Sequence, residues 1–345
     1  MFFASDNAGP AHPEVMQALM DANAGYAMPY GADVQMAEVT ARIRDIFEAP
    51  EAAVFLVATG TAANALALAT LCQPYQTVFC SPVAHINCDE CNAPEFYTGG
   101  AKLTLVGDSH RMTPEALQTA IAGSSPSDVH VAQRGPVSIT QVTECGGVYT
   151  LAELQALCRV AHDAGLPVHL DGARFTNALV ALGCTPAEMS WRAGVNVVCF
   201  GGTKNGCPGV EAVIFFDPAH AREFELRRKR GAHLFSKHRY LSAQMLAYLT
   251  DDLWLRSARS ANANAKRLAD GLALKGAQFE HDPQANMIFA RLTRAQHQAA
   301  HAAGARYYLN DGPLDTGHAD TRLSARFVCD WSIQPQQIDA FLAAI

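Results

Sequence analysis

The chain has 345 residues, 49% hydrophobic and 17% charged, and its 26 Lys and Arg against 33 Asp and Glu leave a formal net charge of −7. This composition excludes a disordered chain, and at roughly 100–200 residues per domain the length implies one large and one small domain, or two of similar size. The acidic balance argues against general nucleic-acid binding and against anionic membranes, yet a local basic cluster can still hold a small anion.

The first residues, Met1–Val15, lack a basic region and a long apolar run and do not read as a signal peptide. Pro13–Ala24 reads as a helix with proline in its first turn and Gly25 after its end. Asp33–Glu48 is a second helix, with Met36, Val39, Ile43 and Ile46 or Phe47 near helical spacing. Ala53–Ala58 is a short buried strand that runs through Gly60-Thr61 into an Ala/Leu-rich helix. The apolar runs at Ala52–Ala58 and Ala62–Cys72 fall short of the roughly 20 residues that span a bilayer. Val78–Cys80, Leu103–Val106 and Val137–Val142 are further strand candidates. Between them, Cys88 and Cys91 form a lone C-x-x-C with His85 three residues earlier; a zinc site needs a second ligand pair, none follows at a compatible spacing, and no metal is expected. Ten cysteines in a large chain without a secretory start favour reduced thiols and a cytoplasmic location.

Thr150 with Glu153 is a capping box that opens a helix, closed by Gly165. Val168-His169-Leu170 is a strand ending at Asp171. Thr185 with Glu188 is another capping box, expected to open a helix. Val195–Phe200 is a strand ending in Gly201-Gly202-Thr203-Lys204, and Val210–Phe216 is the next. This alternation implies an α/β fold with helices on both faces of a mostly parallel sheet. From Lys237 a long helical stretch runs through Leu249, Leu253 and Leu268. Strands at Asn286–Leu292 and Arg322–Cys329 follow, with a helix at Thr293–Ala303 between them and a terminal helix from Pro335. The expected organisation is a large unit, 1–245, and a smaller C-terminal α+β unit, 246–345.

Open α/β sheets place ligand groups at strand ends and helix starts. Thr59-Gly60-Thr61-Ala62 lies at such a junction, where backbone N–H groups and the helix dipole suit a phosphate; a plain tight turn would read the same. Asp171-Gly172-Ala173-Arg174 follows a buried strand, where a carboxylate needs a cationic partner or a helix to cap. Lys204, flanked by small residues, has the setting of a Schiff-base lysine or of an ordinary loop lysine. His85, near a helix start, could stack on a ligand ring or serve the fold alone. Taken together, a phosphate turn, an Asp and a Lys at successive strand ends supply what pyridoxal 5'-phosphate needs: a helix N-terminus for its phosphate, a carboxylate for its ring nitrogen and an amine for its aldehyde.

These stretches resemble the low-specificity L-threonine aldolase family, which has the aspartate-aminotransferase-like fold. The matching residues are Ser5-Asp6-Asn7, Tyr30-Gly31-Ala32-Asp33, Thr59-Gly60-Thr61 and His85 with Asp89-Glu90. They continue with Val168–Arg174, Gly202–Gly206 and Ala325-Arg326-Phe327. The resemblance implies retro-aldol cleavage of L-threonine, L-allo-threonine or a phenylserine to glycine and an aldehyde. It implies that Lys204 holds the cofactor covalently, Asp171 pairs with its ring nitrogen, and Gly60 and Thr61 cradle its phosphate. Arg174 would contact the ring oxygen or the substrate carboxylate, Arg326 would clamp that carboxylate, and Ser5 would help bind it. His85 would stack on the ring and take the β-hydroxyl proton. Tyr30 and a basic residue of Arg227–Arg230 would reach a neighbouring subunit's site in a homo-oligomer, a dimer or tetramer. One branch of the family carries Thr-His-Asn where this chain reads Gln141-Val142-Thr143-Glu144, so a second histidine is missing. A β-eliminating lyase or aminotransferase on the same fold, or a non-catalytic binding relative, are the alternative functions.

Overall fold

The computed structural model describes residues 1–124 and 127–345. In chain order the elements are α1 (Pro13–Ala22), α2 (Val34–Ile46), β1 (Ala53–Val57), α3 (Gly60–Leu71), β2 (Gln76–Cys80), α4 (His85–Cys88), α5 (Ala93–Thr98) and β3 (Lys102–Leu105). Then come α6 (Pro114–Ala122), β4 (Gln133–Thr140), α7 (Leu151–Asp163), β5 (Val168–Gly172), α8 (Phe175–Leu182), β6 (Val197–Gly201), β7 (Glu211–Phe215) and α9 (Ala221–Arg230). The remainder is α10 (Arg239–Leu249), α11 (Leu253–Leu274), β8 (Gln278–Phe279), β9 (Met287–Thr293), α12 (Arg294–Ala302), β10 (Tyr308–Leu309), β11 (Arg322–Val328) and α13 (Pro335–Ala344).

β1 to β7 form one sheet in the order β1-β7-β6-β5-β4-β2-β3. Only β7 runs antiparallel to its neighbours β1 and β6, so the C-terminal ends of the other six strands and the first residue of β7 share one edge. The strands β5 and β6 are buried along their whole length, as a sheet covered on both faces requires. Phe47, Phe175 and Phe200 meet at ring-centroid distances of 5.5–5.7 Å behind that sheet, and Trp254 joins them through Phe200. Each such burial contributes roughly 1.5–3 kcal/mol.

A second, antiparallel sheet has the order β10-β11-β9-β8. Its core holds Leu268, Ile288, Leu292, Phe327, Ile338 and Phe341. The first dozen residues tie the two sheets together. Phe2 bridges to Arg306, and Phe3 exchanges backbone hydrogen bonds with Arg306 and Val328 and packs its ring on Phe341 at 5.2 Å. Asp6 then reaches Arg174 beside the large sheet, and His12 stacks on Trp331 at 3.6 Å while its N–H donates to the Gly206 carbonyl.

Two expectations need correction. The Thr185–Glu188 box forms both of its bonds, but only a turn and a short 3-10 segment, Trp191–Ala193, follow. The chain must reach β6 within a few residues and turns at Gly194 (φ 108°), which leaves no length for a helix. The long helical stretch after Lys237 is two helices: Asp251 and Asp252 adopt left-handed φ of 49° and 55° and break it between α10 and α11. Among the described residues, no helix is long and apolar enough to cross a membrane, no three His, Cys, Asp or Glu side chains form a metal-holding group, and all ten cysteines are free thiols.

Candidate active site

A cavity of about 420 Å³ opens at the shared strand edge. Its walls include Gly60, Thr61, His85, Asp171, Arg174 and Lys204, six of the residues expected from sequence. Thr59 begins the cradle: its hydroxyl accepts from the Ala62 N–H at 3.2 Å and its carbonyl accepts from the Ala63 N–H. The preceding N–H groups, of Gly60 and Thr61, are the ones a helix leaves for a ligand. No atom lies within 4 Å of where a Gly60 Cβ would stand, so the backbone is open to close approach there.

Asp171 is the penultimate residue of β5 and is buried. Its Oδ1 accepts from the Ala173 N–H at 3.0 Å and its Oδ2 from Asn64 Nδ2 at 2.9 Å. The same Asn64 nitrogen donates to Glu90 Oε1 at 2.9 Å, and that oxygen also meets His85 Nδ1 at 2.8 Å. A continuous polar chain therefore runs from Asp171 through Asn64 and Glu90 to His85. The hydrogen bond to Glu90 raises the His85 pKa against its burial, and burial raises that of Glu90.

Lys204 follows β6 in a 3-10 turn. The Arg174 cation beside it and its own burial lower its pKa, which favours the neutral amine. Arg174 is committed to Asp6 in a bidentate pair, Nε to Oδ2 at 2.7 Å and Nη2 to Oδ1 at 2.9 Å. Below the Lys204 turn, Glu211 opens β7 and accepts from the Gly202 N–H at 2.9 Å; burial pushes its pKa up to about 7.

Three sequence-expected residues do not line this cavity. Ser5 spends its oxygen on the Asn7 N–H at 3.1 Å, capping its own short turn, and Asn7 takes the place at the wall. Arg326, on β11, donates to the Ala4 carbonyl at 3.2 Å, lies over Tyr308, and keeps a buried Nε without a protein partner. Burial and the nearby Arg174 cation lower its pKa, so it sits close to the Arg174 end of the site. Tyr30 lies away from the cavity, in a left-handed turn (φ 59°), half exposed beneath Lys229 at 5.1 Å. Of the basic run, Arg227 pairs with Glu223, and Arg228 is buried over Phe55 with its Nη1 on the Leu56 carbonyl. Lys229 and Arg230 are the exposed members.

Sequence reasoning did not single out Asn64 or Glu211, and it quoted Glu90 and Glu144 without giving them a role. Only the fold brings them together, and the one local signal was a carboxylate or amide inside an apolar stretch. The arrangement can hold an anion at the α3 start, pair a cationic heterocycle with Asp171, and offer an amine of lowered basicity and a carboxylate-backed imidazole to one ligand.

The fold is that of the aspartate-aminotransferase-like enzymes. The threonine aldolase of Leishmania major superposes with a TM-score of 0.90 over 99% of this chain and 97% of its own, at 23% identity. The serine palmitoyltransferase of Sphingomonas wittichii does so at 0.73 over 100% and 86%, at 16% identity. The β-eliminating lyase family model matches residues 3–295. A low-specificity L-threonine aldolase of Pseudomonas aeruginosa is 40% identical over 97% of this chain and 94% of its own length. One from another Pseudomonas species is 39% identical over 99% and 96%. The chain belongs to the low-specificity L-threonine aldolase family, within the β-eliminating lyases.

Proposed function

We propose that the protein cleaves L-threonine, L-allo-threonine and related L-β-hydroxy-α-amino acids to glycine and an aldehyde, with pyridoxal 5'-phosphate as cofactor. The observation that carries this reading is the convergence of the α3 N-terminus, Asp171 and Lys204 on one cavity. The open Gly60 backbone and the buried, unpartnered Asn64 Oδ1 fit a polar cofactor seated there. Bound in this cavity, the cofactor would supply the electron sink for the pair released as the Cα–Cβ bond breaks.

The residues would divide the remaining work. The N–H groups of Gly60 and Thr61 bind the phosphate, and Lys204 Nζ holds the cofactor covalently, its amine made nucleophilic by Arg174. Asp171, fixed by Asn64 and Ala173, keeps a proton on the ring nitrogen. Arg174 and Arg326 bind and orient the substrate carboxylate, with Ser5 assisting. His85, tied at Nδ1 to Glu90, would stack on the ring and stand, with Nε2, beside the β-hydroxyl. A second reading, β-elimination, is favoured by the family description and gives ammonia and a 2-oxo acid that keeps the whole carbon chain, 2-oxobutyrate from threonine and phenylpyruvate from phenylserine. Feeding the purified protein L-threonine, L-allo-threonine and phenylserine and assaying glycine, aldehyde, ammonia and 2-oxo acid decides between them; a 2-oxo acid with ammonia and no glycine would overturn the aldolase reading.

We also propose a cytoplasmic homo-oligomer, a dimer or tetramer, in which Tyr30 and Lys229 or Arg230 complete a neighbour's site. Its support is that these residues lie outside their own cavity while Met20, Tyr26 and Met28 nearby are exposed. Mixing Lys204→Ala and Tyr30→Phe variants tests it: regained activity is expected, and monomers by light scattering would overturn it. We further propose a division into 1–245 and 246–345, joined by α11, which buries Trp254 in the large core and Leu268 in the small one.

A further inference from the structure

We propose that Glu144 is a second proton-transfer residue of this site, taking the proton of the substrate β-hydroxyl in cleavage and returning it to the aldehyde oxygen in the reverse direction. The inference rests on the aldolase reading above. Glu144 follows β4 at the shared edge and lines the same cavity as Lys204 and His85. One of its oxygens is pinned and the other is not. Oε1 accepts from the His85 backbone N–H at 2.7 Å and from the Thr140 hydroxyl at 2.9 Å. Oε2 is shut off from solvent with no protein partner, although the residue as a whole is only half-buried. An enclosed carboxylate oxygen without a donor is costly unless a ligand or a proton satisfies it.

Burial pushes the Glu144 pKa up to about 7, against the hydrogen bonds that hold Oε1, so the group can both accept and donate a proton near neutral pH. The titratable groups around it are Asp171, His85, Cys80, Cys145 and Tyr149. Asp171 adds to the upward shift. The thiols of Cys80 and Cys145 and the Tyr149 phenol, themselves pushed up by burial, stay neutral there.

His85 and Glu144 then have separate duties. His85 is tied at Nδ1 to Glu90 and through Asn64 to Asp171, which suits a stacking group whose charge is coupled to the cofactor end. Glu144 is tied only at Oε1. In the forward step the O–H bond of the hydroxyl breaks and its proton moves to Oε2. The oxygen pair becomes the second bond of the aldehyde carbonyl, and the Cα–Cβ pair leaves toward the cofactor. A proton then adds at Cα to complete glycine, so the one taken up on Oε2 and the one delivered to Cα balance over the turnover. The Glu at this position also accounts for the chemistry that a missing histidine would leave undone.

The test uses holoenzymes of the wild type, Glu144→Gln and Thr140→Val. Three quantities are followed: cofactor affinity by fluorescence titration, α-proton exchange of glycine in deuterated water by NMR, and aldehyde release from L-threonine as a function of pH. Glycine has no hydroxyl, so its exchange needs the cofactor and Lys204 but not Glu144. In E144Q the ratio of threonine cleavage to glycine exchange is expected to fall about 10²–10⁴-fold, with cofactor affinity within threefold and the acid limb of the cleavage profile lost. In Thr140→Val the limb should move to higher pH, because a carboxylate that loses a donor is harder to ionise. An unchanged cleavage-to-exchange ratio in E144Q overturns the proposal. Should E144Q fail to fold, an unmoved limb in Thr140→Val overturns it instead. A wild type that exchanges glycine but releases no aldehyde overturns the aldolase reading itself, a result distinct from failure at Glu144.

Discussion

The two sheets solve burial in opposite ways. At one edge of the large sheet Asp171 and Glu211 are buried carboxylates, each accepting a backbone N–H from a neighbouring turn, and Asn64 of α3 donates to Asp171. In the four-stranded sheet, β9 and β11 bury apolar side chains such as Ile288, Leu292 and Phe327, and the half-buried Arg326 is the residue they send toward the cavity. One sheet puts buried polarity into a ligand edge; the other is a packing layer that delivers a cation. Parallel strands ending together make such an edge available, whereas an antiparallel sheet divides its ends between two sides.

The largest expected effect tests the ligand edge. Lys204→Ala should lower glycine production by at least about 10³-fold and remove the visible absorption of bound cofactor, with the fold intact by circular dichroism. Retained absorption would break the assignment. Phe327→Ala should do the reverse. It leaves a cavity among Phe3, Tyr307 and Phe341 and should cost about 3–5 kcal/mol in urea unfolding, while the folded fraction keeps its cofactor affinity.

A pH series sharpens the cost of polar burial in the large sheet. His169 on β5 is fully buried, and burial pushes its pKa from 6.5 down to about 4. The unfolded chain therefore takes up this proton first. The His169 contribution is complete above pH about 6.5, and about 3 kcal/mol is lost as the pH falls to 4. His169→Gln should flatten that part of the stability curve, and an unchanged slope would locate the acid sensitivity elsewhere.

Arg326→Lys is the next smaller test. Loss of the forked guanidinium should raise KM for L-threonine about 10–100-fold, equivalent to roughly 1.5–3 kcal/mol, with a lesser change in kcat. An unchanged KM would make the four-stranded sheet purely structural. Smallest of all, Cys88→Ser, at an exposed thiol that does not line the cavity, should change stability by no more than about 0.5 kcal/mol and leave activity unaltered.

Much of this edge was legible from residues alone, because a Gly, Asp or Lys that interrupts an apolar run at a strand end is both rare and local. Gly60-Thr61, Asp171 and Lys204 carry that mark. Asn64, Glu90 and Glu144 do not: Asn64 lies 26 residues from Glu90 and 107 from Asp171, and only folding brings Asn64, Glu90 and Asp171 together. The helix break at Asp251-Asp252 was invisible because neither residue is Gly or Pro. The Thr185–Glu188 box was misread because capping bonds start a helix but do not supply the length to continue it.

The N-terminal strand of contacts has a mechanical consequence. Phe3 is anchored in the core of the small sheet, while Asp6, three residues later, grips Arg174 beside Lys204. The intervening backbone is too short to absorb slack. A rotation of one sheet against the other would thus be transmitted as a pull on the Asp6–Arg174 pair, making the chain's first residues a tie rod that converts rigid-body motion into a change of charge spacing around the Lys204 amine.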